Sequence, residues 1–301
     1  MVAALKLAIT GGTGFVGQRL IDRALADGHR VRALTRRPQA VRVGVVWVEG
    51  ALDTPDSLAK LVKGVDAVIH VAGVVNAPDK TGFESGNVIG TGAILAAAEQ
   101  AGIARFVHTS SLAAREPLLS MYGASKARSE ALVAASPLSA GIVRPPAIYG
   151  PGDREMLDMF KMAKRGFVLL PPAGRLSLIH VDDLASLLLA LAGSTDTAVI
   201  EPDDGHANGW THREFGDALG RAVGRNVRAI ATPKSILSLA SRIDRLVRGK
   251  GAKLTADRVA YFCHPDWVAD PSRAPASWQA EIATPQGLAD TAAWYRSAGW
   301  L

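Results

Sequence analysis

The stretch TGGTGFVG, residues 10–17, joins a strand-like run, LKLAIT (5–10), to an amphipathic helical stretch, Phe15–Ala26. A chain that passes from strand to helix through glycines at this spacing has few ways to fold. Gly11, Gly14 and Gly17 leave room for a tight turn and for a pyrophosphate to approach the backbone. The first N–H groups of the helix then meet the anion, with the helix dipole in favour. Glycines also mark ordinary turns, so the spacing alone is weak. Its strand–turn–helix context makes dinucleotide binding the reading here.

The pattern continues as such a fold requires. RVRALT (30–35), VVWVEG (45–50), DAVIHVAG (66–73), RFVHTSS (105–111) and AGIVRPP (140–146) are further strand candidates, with helical segments near 55–63, 84–101 and 121–135. Strands separated by helices predict a parallel sheet covered on both faces. After Pro151 the rhythm changes. EMLDMFKMAKRG reads as a helix, SLIHVDDLASLLLALAG as a strand running into a helix and TAVIEPDDG as a strand, and the last hundred residues are mostly helical. The expected fold is α/β: a Rossmann-type doubly wound parallel sheet with a smaller, mostly helical C-terminal lobe. The nucleotide-binding core is assigned to 1–155 with 176–200, the substrate-binding lobe to 156–175 with 201–301.

The end of the second strand bears on which dinucleotide is held. NAD-binding folds usually place an acid there for the ribose hydroxyls. This chain reads LTRRP, with Thr35 where the acid would stand, followed by Arg36 and Arg37. Guanidinium groups suit the 2′-phosphate of NADP, and no carboxylate is present to repel it. The expected cofactor is therefore NADP(H), ahead of NAD(H).

Composition narrows the setting. The longest apolar run, around Ala185–Ala192, is far short of the roughly 20 residues a spanning helix needs. The N-terminal MVAALKLAITGG reads as a first strand and not as a signal peptide. The single cysteine, Cys263, forms no intrachain disulfide and suits a reducing compartment, with the cytoplasm as the default. Net charge is +6 and the pI about 9.6, yet no nucleic-acid motif appears. The basic excess sits largely in 221–258, where Ile236, Leu239, Ile243 and Leu246 recur at helical intervals among Lys234, Arg242, Arg245 and Arg248. The preferred reading is an ordinary helix packed on the body with a solvated basic face. A membrane-surface or anionic-ligand role is the alternative.

SMYGASK (120–126) places Tyr122 four positions ahead of Lys126, on one helix face. With four tyrosines and ten lysines, that spacing arises by chance in roughly one such chain in eight. Its surroundings lift it. The glycine loop, GALDTPDSL (50–58), HVAG (70–73), NVIGT (87–91), HTSS (108–111), YGASK (122–126), RPPAIYGPGD (144–153) and HVDDLA (180–185) occur in order. Together they resemble the extended short-chain dehydrogenase/reductase family, the NAD(P)-dependent epimerase/dehydratase superfamily. The later parts look most like dihydroflavonol reductases, 3β-hydroxysteroid dehydrogenases and their bacterial relatives.

The resemblance implies an oxidoreductase in which Tyr122 exchanges a proton with the substrate oxygen. Lys126 would tune Tyr122 and bind the nicotinamide ribose, and Ser111 would hydrogen-bond the reacting oxygen. By family position, Gly11, Thr13, Gly14, Phe15, Val16, Gly17, Arg36, Arg37, Leu52, Val71, Ala72, Gly73, Thr109, Tyr122, Lys126 and Pro145 would contact the cofactor. Ser110 and Thr109 are also read as supporting the strand end, and Asn87 as fixing a helix against the sheet. His180, Asp182 and Asp183 could suit a metal, but the aspartates are read as opening a helix, so no metal is expected. Met156, Met159, Phe160 and Met162 either edge an apolar pocket or pack the core.

Two departures stand out. Ala51 replaces the family's usual acid after the third strand, and only eleven positions separate Ser111 from Tyr122, where many members carry a longer loop. The expected activity is NADP-dependent reduction of a ketone, or oxidation of a secondary alcohol, on a largely apolar small molecule. A nucleotide-sugar epimerase or dehydratase with retained NAD(P), and a non-catalytic NADPH-binding subunit or redox sensor, are the alternatives. Family members often pair through the helices near 87–101 and 121–135, which implies a homodimer.

Overall fold

The structure is a computed structural model describing residues 4–275 and 277–301, the side chain of Lys250 excepted. Met1–Ala3, the start of the segment read as leading into the first strand, lie outside the described residues. In chain order the first elements are β1 (Lys6–Thr10), α1 (Phe15–Ala26), β2 (Arg30–Thr35), β3 (Val45–Glu49), α2 (Pro55–Val62) and β4 (Ala67–His70). Next come α3 (Lys80–Phe83), a π-helical turn (Glu84–Ile89), α4 (Gly90–Gln100), β5 (Arg105–Thr109), a 3₁₀ turn (Leu112–Arg115), α5 (Met121–Ala135) and β6 (Ser139–Val143). There follow β7 (Ala147–Tyr149), α6 (Leu157–Lys164), β8 (Phe167–Leu170), β9 (Arg175–Leu176), β10 (Leu178–His180), α7 (Val181–Ala192) and β11 (Val199–Ile200). The chain ends with β12 (Trp210–Thr211), α8 (His212–Val223), β13 (Arg228–Ala231), α9 (Lys234–Arg248), α10 (Ala256–Phe262), β14 (Asp266–Trp267) and α11 (Thr284–Ser297).

Two compact units emerge: Met1–Arg144 with Leu184–Ile200, and Pro145–Asp183 with Glu201–Leu301. In the first, a seven-stranded sheet runs β11-β6-β5-β4-β1-β2-β3, with every pair parallel. The strands β4 and β5 are buried along their whole length, as a sheet covered on both faces demands. Strand order reverses between β1 and β4, and the crevice beyond their carboxyl ends is where open α/β sheets bind ligands. Register aligns those ends: Thr10 pairs with His70, His70 with His108, and Thr109 with Val143. One face is sealed by Leu58, Leu61, Ile94, Leu95, Val68 and Phe106, all nearly inaccessible.

The second unit is mostly helical, with three small sheets: β10-β7, β12-β9-β14 and β13-β8. Tyr149, Phe160, Phe215, Leu219, Leu288 and Tyr295 fill its core. Met156 and Phe160 belong to that core and Met159 packs against it, which favours packing over a pocket edge for these residues. A capping box of Thr211 and Glu214 starts α8, and Gly224 in the left-handed region ends it. The Asp183 carboxylate accepts the backbone N–H groups of Glu281 and Ile282, both at 3.1 Å, so it ties down the segment leading into α11.

The sequence reading of α9 as packed by its apolar stripe is corrected here. Ile236, Leu239, Ile243 and Leu246 are 52–86% exposed. Periodicity identifies an apolar face but not the direction in which the helix turns it. The side turned inward instead carries Ser241, which is buried, and Asp244, whose carboxylate accepts the N–H groups of Lys253 and Leu254.

Candidate active site

The loop after β1 is shaped by contacts that only glycine permits. Gly11 has φ +73°, and a Cβ there would lie 2.7 Å from the backbone nitrogen of Ala72. A Cβ on Gly17 would fall 2.0 Å from the Gly11 carbonyl oxygen. The first turn of α1 therefore lies against the loop, and the loop against the end of β4. Gly14 opens α1 with no side-chain cap, while Thr13, Phe15 and Val16 lie at or near the surface around it. A helix start of this kind, uncapped and fronted by bare backbone, fits a dinucleotide's pyrophosphate.

Beyond β4 the chain runs through Val71 and Ala72, half-buried, to Gly73, exposed. A Cβ on Gly73 would sit 3.2 Å from Asn87 Oδ1 and 3.9 Å from Lys126 Nζ, so this turn meets α5 directly. Asn87 holds the meeting point. Its Oδ1 accepts the Val74 N–H (2.7 Å), and its Nδ2 donates to the Val74 carbonyl and to Ser125 Oγ, both at 2.9 Å. Ser125 in turn donates to the Tyr122 carbonyl at 2.7 Å. Asn87 sits in the π-helical turn, a local widening that recurs at functional sites.

Ser111, Tyr122 and Lys126 come from adjoining elements. Ser111 caps the 3₁₀ turn, its Oγ accepting the Ala113 N–H at 3.2 Å, which leaves the hydroxyl hydrogen to donate elsewhere. That turn packs on the start of α5 because Gly123 has no side chain: a Cβ there would be 2.6 Å from the Ala113 carbonyl oxygen. Ser120 caps α5 by accepting the Gly123 N–H. Tyr122 is half-buried, its ring 6.1 Å from that of Phe83.

Lys126, one turn on, is buried and donates from Nζ to the Thr109 carbonyl at 2.7 Å. Burial pulls its pKa down to about 8, and the Glu130 carboxylate opposes a further fall. Glu130 accepts from Ser110 Oγ at 2.5 Å and is gripped by both Nε and Nη2 of Arg144, at 2.9 and 2.7 Å. Thr109 Oγ1 is buried and has no hydrogen-bond partner among the described residues, an acceptor and donor in reserve beside the lysine.

Beneath this edge two imidazoles stack, His70 on His108, 5.5 Å apart. Burial, seconded by the Lys126 charge, lowers His70 to about 3 and pushes His108 well below its ordinary range, so both are neutral. Thr91 Oγ1 spends its hydrogen on the Asn87 carbonyl and must accept Nε2–H of His70. The neutral ring therefore has a bare Nδ1 that takes the hydrogen of Thr10 Oγ1 at 2.6 Å, while Thr10 Oγ1 accepts the Ala72 N–H.

At the end of β2, Thr35 Oγ1 donates to the Arg37 carbonyl and accepts the Arg37 N–H, closing a tight turn that presents Arg36 and Arg37 to solvent. Neither arginine has an acidic partner among the described residues. A cleft of about 140 Å³ lies alongside, lined in part by Thr13, Gln39, Arg42 and Trp47. Leu52 is half-buried and lies over Gly90 at the edge of the core. Pro145 is buried and belongs to the second unit. His180 and Asp182 lie at the turn from β10 into α7, and no cluster of three metal-ligating side chains occurs among the described residues.

Sequence reading singled out the loop, the Tyr–Lys pair, Ser111, Thr109 and Asn87. It did not find Glu130, Arg144, Thr10, His70 or Thr91. Glu130 had a signal, since 122, 126 and 130 form one stripe on a helix. The others lie far apart in sequence and meet only across the sheet.

The chain as a whole is similar to known proteins. The family model described as NAD dependent epimerase/dehydratase family matches residues 7–201. A ceramide reductase from Caulobacter vibrioides is 39% identical over 98% of this chain and 96% of its own length. A 2-alkyl-3-oxoalkanoate reductase from Stenotrophomonas maltophilia is 29% identical over 94% and 97%. Among solved structures, the Bordetella bronchiseptica enzyme WbmG in complex with NAD and UDP superposes with a TM-score of 0.75 at 19% identity, covering 99% of this chain and 97% of that one. The last likeness is one of fold. Since the family match runs from the first strand to just past the last strand of the seven-stranded sheet, this chain belongs to the NAD dependent epimerase/dehydratase family, among the extended short-chain dehydrogenases/reductases.

Proposed function

We propose that this chain is an NADP(H)-dependent oxidoreductase acting between a ketone and a secondary alcohol of a largely apolar small molecule, with Tyr122 as proton donor and acceptor. The observation that carries the reading is Lys126: a buried amine anchored to the Thr109 carbonyl, one helical turn from Tyr122 and beside the Gly73 turn.

Gly11, Thr13, Gly14, Phe15, Val16 and Gly17 would hold the pyrophosphate, and Arg36 with Arg37 the 2′-phosphate. Val71, Ala72, Gly73, Thr109 and Lys126 would border the nicotinamide ribose, with Leu52 as a further contact. When bound, the nicotinamide supplies or accepts the hydride at its C4. Tyr122 gives its phenolic proton to the substrate oxygen in reduction and takes it back in oxidation. Lys126, when protonated, draws the phenol's pKa down toward working pH, and the Ser111 hydroxyl donates to the same substrate oxygen.

Two relatives matched over nearly their whole length are named for reducing a ceramide and a 2-alkyl-3-oxoalkanoate. A long-chain ketone is the corresponding substrate class here, handled in a reducing cytoplasm that suits a chain with one free cysteine, Cys263. The helices α4 and α5 are proposed to pair two copies, and they expose Leu132, with Ile89 just before α4.

Tyr122→Phe tests the mechanism. Turnover is expected to fall by about a hundredfold or more, while NADPH binding, followed by its fluorescence, stays within about twofold. A fully active phenylalanine variant overturns the assignment.

A further inference from the structure

Helix α9 turns its apolar face outward. Ile236, Leu239, Ile243, Leu246 and Val247 are 52–86% exposed, and at 3.6 residues per turn they fall within one arc of about 100°. The helix is held by its other side, through Ser241 and the Asp244 carboxylate that accepts the Lys253 and Leu254 N–H groups. This inverts the usual surface helix, which buries its apolar stripe. The strand leading into it adds to the feature: Ile230 on β13 and its register partner Leu169 on β8 are 39% and 45% exposed.

The surroundings are strongly basic. Residues 221–258 hold ten Lys/Arg against two Asp/Glu, a surplus larger than the +6 of the whole chain. On α9, Arg248 pairs with Asp244 at 3.3 Å, whereas Lys234, Arg242 and Arg245 are exposed without an acidic partner among the described residues.

We infer that α9 is an interfacial helix that docks this chain on an anionic bilayer surface, its aliphatic arc among the acyl chains and its arginines at the headgroups. Charge and composition choose this occupant. A second copy would bring two such basic helices together with almost no acid to answer them. Protein interfaces are anchored by aromatic or arginine side chains seated in pockets, and this arc is wholly aliphatic. Docking would bring a sparingly soluble ketone within reach of the chain. That consequence, unlike the docking itself, rests on the substrate class proposed above.

The test is co-sedimentation of the full chain with phosphatidylglycerol/phosphatidylcholine vesicles and with pure phosphatidylcholine vesicles, at low and high salt. Binding to the anionic vesicles is expected to be about tenfold tighter and weakened by salt. Ile243→Asp with Leu246→Asp is expected to lose binding about tenfold, with thermal midpoint and NADPH binding unchanged. Arg242→Glu with Arg245→Glu is expected to abolish the preference for anionic lipid. Failure of the unaltered chain to bind anionic vesicles, or equal binding by the aspartate variant, overturns the inference. A dimer in sedimentation velocity that the aspartate variant abolishes also overturns it, by giving the arc to a second copy, as does an acidic protein that competes the chain off the vesicles through the same residues. Turnover of a water-soluble ketone is read in parallel. A chain that binds vesicles but reduces no ketone refutes the substrate reading and leaves docking standing.

Discussion

Lys126 carries both the chemistry and a cost. Its amine is held in the interior by one carbonyl, and burial brings its pKa from 10.5 to about 8. Between those values the unfolded chain binds a proton that the folded chain does not. Stability of the cofactor-free protein should therefore rise with pH from about 8 to 10.5, by about 3 kcal/mol from this residue. Subtracting the pH profile of the thermal midpoint of Lys126→Met from that of the parent isolates this rise, and a flat difference would refute it. Arg36 and Arg37 invite a separate measurement. Replacing both with alanine should lower kcat/KM for NADPH by about tenfold or more and leave NADH little changed, since only the 2′-phosphate loses its partners. The glycines and the Tyr–Lys pair were legible because each imposes a local constraint: a clash that a Cβ would create, or a shared helical face. Thr10 and Thr91 carry no such mark. Each is an ordinary threonine until the sheet brings a histidine between them.

At the scale of elements, α5 is positioned from both ends. Gly123 lets its first turn close on the 3₁₀ turn that carries Ser111, and Glu130 fixes its middle through Ser110 and Arg144. Removing the carboxylate strands a largely buried guanidinium, so Glu130→Ala is expected to cost about 3 kcal/mol in urea unfolding. Glu130→Gln, which can still accept from Ser110, should cost less; equal losses would show that the retained acceptor counts for nothing and that the lost charge opposite Arg144 accounts for the whole cost. Strand positions were readable from their apolar runs, and RVRALT matches β2 residue for residue. The π-helical turn was not. ESGNVI carries no periodicity that separates it from α-helix, and the widening is held by Asn87, whose partners Val74 and Ser125 lie 13 and 38 positions away. Of the small strands of the second unit, β10 was read from SLIHV, but the two-residue segments β9 and β14 were missed for a related reason: they exist only because a partner strand is present.

For the whole molecule, acid should be the more damaging extreme. His70 is neutral in the fold down to about pH 3, and His108 is held neutral by the same burial. Unfolding frees both to take up protons, so stability falls as pH drops below the free-histidine value of 6.5, with His70 alone accounting for about 2 kcal/mol by pH 5. Urea midpoints at pH 7.5 and 5 check this; a midpoint unmoved across that range would show that the pair is protonated in the fold. The outward turn of α9 was not foreseeable, because amphipathicity is blind to which side of a helix its neighbours occupy. The buried string from Thr10 through His70 and Thr91 has one further implication. Every hydrogen along it is already committed in a single direction, and it terminates at the Asn87 carbonyl, an oxygen with no proton to hand on. Such a string is a strut and not a conduit, so any proton Tyr122 surrenders must be replenished by a route other than this one.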